Sequence, residues 1–536
     1  MRAAILTLLF VASGCSGNDK QESPGGEIPP PAPACDEAGG SSEVATPLLL
    51  RGLGGGWEEA WLGSPAVADL DADGQMEIAV ARGNVVKVFR PGGTLAFETS
   101  GCEGRIWSSP VVANLDSDKA TLELAVACRG AIWAYDSEGV PLPGFPVQGM
   151  DELRSLAAGD LDGDGHLELV AVSTSRLEAN DQIDILYAFR HDGSAQPGFP
   201  PNTSGAAGCD EACYVTGGYD QNLALGDIDG DTDEEIFATQ DNAYLSLHDG
   251  DGRAFDCASI FAGRTKFQGV RFMLDYTLAQ QGWAEDEEAA NQAHFTNSAP
   301  ALADLDGDGM LDLVVLSSVQ NAAQSDRERG VALWALRPDA TRLSDWISPL
   351  HIPPFLSGLW DFEGTNVVGA TNQVSVAEID PEQDGPELVF AGFDGRIHCS
   401  SAQGKELWSH EYTTDAHVLT GGVAIADLSA NGAPEIVFNT YSTDEGKSAL
   451  FILDSGGNEL HSVPLPGRGA MPVPTIADVD GDEDLDIVIS LKDPADGLGE
   501  VLLYEVPSSK PNCLLWPTGR GNLRRSGAVY PSLQKR

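Results

Sequence analysis

Short apolar runs recur along this chain, separated by turns rich in Asp and Gly. Glu77–Ala81 is followed by Arg82-Gly83-Asn84, then Val85–Phe89, then Pro91-Gly92-Gly93. The same order returns in Glu387–Ala391, Phe393-Asp394-Gly395, Arg396–Cys399 and Gln403-Gly404. Brief continuous apolar segments bounded by turn formers read as buried strands. Leu-Pro-Gly-Phe-Pro-Val at 142–147 and Pro-Gly-Phe-Pro at 197–200 are placed to begin a fourth strand of their units. The pattern breaks in two insertions. In Phe267 to His294, Val270, Met273, Leu274, Thr277 and Leu278 fall at helical spacing, which predicts an amphipathic helix. Asp339 to Thr371 carries Trp346, Phe355, Trp360 and Phe362. These aromatics either pack the insertion onto the rest of the molecule or meet a ligand.

One polar loop precedes the first strand of each unit. Its clearest copy is Asp69-Leu-Asp71-Ala-Asp73-Gly74-Gln-Met-Glu77. Close copies hold Asp160, Asp162, Asp164 and Glu168; Asp227, Asp229, Asp231 and Glu235; Asp304, Asp306, Asp308 and Asp312; and Asp478, Asp480, Asp482 and Asp486. Three copies are degenerate. Asn114-Leu-Asp116-Ser-Asp118 has an extra residue before Glu123. Glu378-Ile-Asp380-Pro-Glu382-Gln-Asp384-Gly385-Pro-Glu387 also has one inserted, and Asp427-Leu-Ser429-Ala-Asn431 has lost two acids. The loops begin at 69, 114, 160, 227, 304, 378, 427 and 478, with successive spacings of 45, 46, 67, 77, 74, 49 and 51. The shortest suit a four-stranded propeller blade, and the longer ones mark insertions. The predicted fold is all-β: a β-propeller of seven or eight four-stranded blades with calcium loops, plus a helical insertion, over 48–530, with insertions at about 262–298 and 339–371.

Carboxylates at alternate positions converge on one cation if the chain between them curls, and Gly at the sixth position permits the curl. Hard oxygen donors suit calcium, and magnesium demands stricter geometry. An EF-hand needs a bidentate Glu at position twelve between helices. Here that position is Val80, Ala171, Ala238, Val315 or Ile489, and the acid stands at position nine before β-forming residues.

These units resemble the FG-GAP/VCBS repeats of bacterial surface proteins, which are related to the calcium-loop blades of integrin α-subunit propellers. The similarity spans roughly residues 60–525. The resemblance implies that Asp69, Asp71, Asp73 and Glu77 bind calcium, as do the matching residues of the other strong copies and Asp380, Glu382, Asp384 and Glu387 in the inserted one. It implies weak binding by the loop with Ser429 and Asn431. Residues 394–408 resemble one blade of the quinoprotein type, and Trp516 to Gly527 resembles the closing segment of such propellers, expected to supply a strand that completes the ring.

Composition narrows the function. A formal net charge of −51 repels phosphate backbones and anionic lipid, which disfavours nucleic acid as a partner. Residues 1–15 read as a targeting segment: Met1-Arg2, a short apolar stretch, then Ala12-Ser13-Gly14-Cys15. The last four resemble a bacterial lipobox, with Ala12 where Leu is usual, which makes Cys15 the expected lipid attachment. Ser16 rather than Asp after it favours the outer membrane by the same analogy. Ordinary secretory cleavage is the alternative. Residues 16–47 read as a Pro/Gly/Ser-rich tether. The expected location is the bacterial cell envelope, with the membrane reached only through the lipid.

Eight further cysteines suggest disulfides, with Cys102–Cys128 and Cys209–Cys213 near enough in sequence to pair. Calcium, as several ions, is the one cofactor expected. No nucleophile or metalloprotease motif stands out, and the nine histidines are scattered. Scarce Arg and Lys disfavour a site for acidic sugars. The expectation is therefore a non-catalytic calcium-binding surface propeller with an unknown protein or glycan ligand. The alternative is a polysaccharide lyase or hydrolase on the same scaffold.

Overall fold

A computed structural model describes residues 35–36, 38–40, 43–116, 120–177, 183–208, 215–281, 291–296, 298–321, 328–359 and 372–529. Cys15, the rest of the N-terminal segment, most of the tether, Asp118, Cys209, Cys213, Trp360 and Phe362 lie outside the described residues.

The second strand of each unit explains the fold. Glu77–Arg82, Glu123–Cys128, Glu168–Ser173, Glu235–Thr239, Asp312–Gln320, Glu387–Ala391 and Glu435–Ser442 are buried at every position. A strand with apolar residues on both faces must be covered twice, so each sheet packs between two neighbours. Outer strands read differently: Glu406–Glu411 and Glu459–Pro464 alternate between exposed and half-buried residues. The result is an eight-bladed β-propeller, one sheet per repeat. Its core is a series of layers between adjacent blades. Ala79, Val88, Leu124 and Val126 join the first blade to the second, and Val80, Phe89, Val488 and Leu503 join the eighth back to the first.

Blades differ in completeness. The first has four antiparallel strands, Ala66–Ala68, Glu77–Arg82, Val85–Phe89 and Leu95–Glu98. The second does too, and its fourth strand, Val147–Gln148, starts at the last residue of the predicted segment 142–147. The third and fourth have three strands each. In the third, 197–200 leads instead into a helical turn, Pro201–Ser204. Two successive prolines cannot donate to a ladder, and Gly205, at φ 79°, caps the turn.

The ring closes through its other end. Leu48–Leu53 forms the outermost strand of the eighth blade, antiparallel to Gly499–Val506 from Leu48↔Glu505 to Leu53↔Val501. The predicted closing segment does add a short strand, Leu514–Trp516, but on the axial side of the seventh blade beside Ala424–Ala426. From there it fills the centre. Pro517 O accepts the N–H of Ile476 at 2.8 Å in the eighth blade, and Thr518 donates to Pro65 O at 3.2 Å in the first. Carbonyls of Leu523, Arg524, Ser526 and Gly527 accept from Val112, Ala158, Leu225 and Leu302, in blades two to five, at 2.8–3.0 Å. The N–H of Arg520 donates to Gln373 Oε1 of the sixth at 2.7 Å. Every inner strand would otherwise be an edge with unpaired backbone groups, and one tail pairs them in turn.

The insertion at 262–298 is less helical than predicted. It holds a single turn at Phe267–Gly269 and a helix limited to Tyr276–Gln280, N-capped by Asp275. Val270 to Met273 are all buried, with Phe272 against Phe267, Phe295 and Trp334, so this segment has no solvent side. Trp346 is a packing residue: it is buried and its Nε1 donates to Ala402 O at 2.8 Å in the next blade. Cys102–Cys128 is bonded as predicted, and a second bridge, Cys35–Cys513, joins residues 478 apart. Cys257 and Cys399 are free. Among the described residues no helix is long and apolar enough to cross a membrane.

Candidate metal centre

Each Asp-rich loop joins an inner strand to the second strand of its blade. Inner strands run the same way round a propeller, so all these loops open on one face. The connections of extra length start after Ser204, Ala254 and Ile352 and leave from the opposite face.

The loop's geometry follows from its acids. The ninth-position acid begins the buried second strand and turns back to accept the N–H of the second residue. Glu77 accepts from Leu70 at 3.0 Å, Glu123 from Leu115 at 2.7 Å, Glu168 from Leu161 at 2.9 Å and Glu235 from Ile228 at 2.5 Å. Asp312, Glu387, Glu435 and Asp486 do the same for Leu305, Ile379, Leu428 and Val479 at 2.7–3.0 Å. All eight loops share this contact, including the three degenerate ones. The first-position acid accepts from the sixth residue: Asp69 from Gly74, Asp304 from Gly309 and Asp427 from Gly432 at 2.9 Å, and Asp160 from Gly165 at 3.0 Å. These sixth residues have φ between 84° and 89°, a region that favours glycine. Thr232 and Glu483 hold the same place at φ 86° and 75° without that freedom.

Carboxylate oxygens converge as the spacing requires. Asp69, Asp71 and Glu77 bring oxygens within 4.8 Å of one another, as do Asp160, Asp162 and Asp164, Asp227, Asp229 and Glu235, and Asp304, Asp306 and Asp308. Asp73, Asp231 and Asp482 accept the N–H of Gln75, Asp233 and Asp484 at 2.8–3.1 Å, which orients the fifth-position acid. Asp160 Oδ1 and Asp162 Oδ1 are buried and have no hydrogen-bond partner among the described residues. Buried, unpartnered oxygens in a ring of hard donors fit a calcium ion. Burial raises the ninth-position acids, to about 8 for Glu168 and Asp312, about 9 for Glu235 and about 7 for Asp486, with the neighbouring carboxylates adding to the rise. A cation here favours their ionised form.

The inserted loop adds one acid to the expected set of Asp380, Glu382, Asp384 and Glu387. Its Ile379 contact makes Glu378 the first residue and Asp380 the third. Glu378 Oε1 and Glu387 Oε1 are buried without partners, whereas Glu382 and Asp384 are exposed. Glu378 is thus a further candidate ligand beside the four expected ones. In the loop at 427 both oxygens of Asp427 are engaged by neutral side chains: Ser429 Oγ donates to Asp427 Oδ1 at 3.2 Å and Asn512 Nδ2 to its Oδ2 at 3.3 Å. Its tip is also covered, since the N–H groups of Ala38 and Gly40 both donate to Ala430 O at 2.9 Å.

Fold and site together define an eight-bladed propeller with carboxylate loops on one face. No family model matches this chain, and no curated protein matches it. Among solved structures, the V. cholerae biofilm matrix protein Bap1 is similar at a TM-score of 0.52 and 14% identity, over 91% of this chain and 96% of that one. Rhamnogalacturonan lyase YesW gives 0.48 and 16%, over 90% and 80%. The Bacillus licheniformis rhamnogalacturonan lyase gives 0.48 and 15%, over 91% and 80%. The first of these likenesses supports the fold.

Proposed function

We propose that this chain is a calcium-stabilised, non-catalytic binding propeller of the FG-GAP/VCBS type, exported and held at the bacterial cell envelope through Cys15, whose ligand is a protein or glycan. The observation that carries the reading is the division of labour between the faces. One face gives its acids to the loop contacts described above, and the other carries the long connections, while residues 514–529 occupy the axis. Two disulfides fit an oxidising compartment outside the cytoplasm. A propeller of similar fold serves as a biofilm matrix protein, which accords with a binding role at a surface.

Calcium bound only by the native state stabilises it, by about 2.7 kcal/mol for each site held at a hundred times its Kd. Isothermal titration of the metal-free protein is expected to show several calcium events, with a matching rise in Tm. No heat at millimolar calcium overturns the ligand assignment. Turnover of any glycan in a product assay overturns the non-catalytic reading.

A further inference from the structure

The chain has 31 Lys and Arg against 82 Asp and Glu, yet several of its cations meet at one place. They lie on the face opposite the carboxylate loops, where the chain enters the inner strands. Lys492 Nζ stands 3.2 Å from the ring centre of Trp61, and the Arg105 guanidinium 3.8 Å from the same centre. Two cations this near one ring must occupy its two faces. Arg105 also lies 5.0 Å from Trp107, whose ring is 4.1 Å from the Arg154 guanidinium. Arg154 in turn is 5.1 Å from Tyr219. The six residues alternate cation and aromatic, and come from the eighth blade and the entrances to blades one to four.

Most of these cations are already engaged. Lys492 pairs with Glu59 at 3.0 Å, and Arg154 with Glu152 at 2.7 Å and Asp220 at 3.5 Å. Arg105 is exposed and has no ion pair among the described residues. Its connection is rigid, because the Cys102–Cys128 bridge and the Ile106↔Cys128 backbone bridge hold it to the second blade. A guanidinium centred over indole can still turn N–H groups to solvent, and these match a carboxylate in two parallel hydrogen bonds. Trp57, on the connection that leads to Trp61, is 83% exposed and offers an aromatic face to a sugar ring.

We propose that this cation–aromatic ladder is a binding site for an acidic saccharide, with the Arg105 fork on a uronate carboxylate and Trp57 stacked on a sugar ring. The proposal rests on the binding-propeller reading and names its ligand class and place. A ligand with sparse carboxylates suits the site better than a dense polyanion, because the surrounding surface of an acidic protein repels the latter.

The test is calorimetric titration of the full chain with a glucuronate-containing tetrasaccharide and its carboxyl-reduced counterpart. The acidic sugar is expected to bind and the reduced one to bind at least about tenfold more weakly. Arg105→Ala is expected to lose about tenfold, Arg105→Lys to recover only part, and Trp57→Ala to lose severalfold, each with an unchanged Tm. Equal binding of the two sugars, unaltered binding by Arg105→Ala, or comparable binding of a poly-glutamate peptide overturns the proposal. A glycan array separates the levels: hits insensitive to Arg105→Ala remove this site and leave the propeller a binder, whereas no glycan or protein capture removes both readings.

Discussion

The ninth-position acid does two jobs that pull against each other. As a carboxylate it would serve a bound cation, and as an acceptor it closes the turn onto the second residue's N–H. Without metal, burial and three neighbouring acids raise it above its ordinary value of 4.5, to about 9 for Glu235 and about 8 for Glu168. The sign follows. The folded state keeps these protons after the unfolded chain has lost them, so stability falls as pH rises from about 4.5 through the folded values. In chelator, Tm is expected to drop between pH 5 and pH 8, and calcium is expected to remove the drop. Glu235→Gln keeps an acceptor for Ile228 and carries no charge, so it should be more stable than the parent at pH 8 in chelator and gain less from calcium. Thermal melts in the two buffers check this. The acid's place was legible in the spacing, eight residues after the first acid and before β-forming residues; its contact with the second residue's N–H was not. In the inserted loop one extra residue breaks the register and hid Glu378, which the Ile379 contact makes the first residue. Arg105 was hidden for another reason. A count of Arg and Lys over the chain says nothing about which of them the fold brings onto one pair of indoles.

At the scale of elements, the repeat was legible because seven of the eight second strands begin with an acid and are buried at every position. The insertions were less so. Val270, Met273 and Leu274 mimic a helix only because the residues between them, including Phe272, are buried as well. Ring closure was assigned to the wrong end, since Leu48–Leu53 carries no loop and so no mark of the repeat. The bridge between Cys35 and Cys513 spans 478 residues and could not be inferred from proximity. It lies beside the loop at 427, whose tip Ala38 and Gly40 cover and where Asp427 N–H also donates to Cys513 O at 3.0 Å. Removing it should cost about 2–5 kcal/mol. Cys35→Ser and Cys513→Ser are expected to lower the denaturation midpoint equally, and the double variant no further. Chemical unfolding of the three side by side measures this, and additive losses would mean the two thiols stabilise the fold separately.

At the scale of the molecule, stability depends on how the axis is filled. Arg525 is wholly buried and donates to Pro110 O at 2.9 Å, Thr518 Oγ1 at 2.8 Å, Gly519 O at 2.9 Å and Pro65 O at 2.9 Å. Arg520 likewise donates to Pro300 O at 2.5 Å and to Leu223 O. Both guanidiniums are held by carbonyls at the entrances to the inner strands. Arg525→Ala leaves those carbonyls unpaired and should cost upward of about 3 kcal/mol. Arg525→Lys, with fewer donors, should recover only part. Equilibrium denaturation tests both, and a loss below about 1 kcal/mol would mean that water replaces the side chain at no cost. The seam between first and eighth blades is ionic as well: Lys87 Nζ lies 2.9 Å from both Glu58 and Glu500.

The second bridge also decides how the molecule bears mechanical load. A pull applied upstream of Cys35 does not peel Leu48–Leu53 away one rung at a time. Tension crosses the covalent link to Cys513 and arrives beside Leu514–Trp516, whose tail is gripped by every blade. Traction is thereby shared around the whole ring, and Leu48–Leu53 is left out of the taut path.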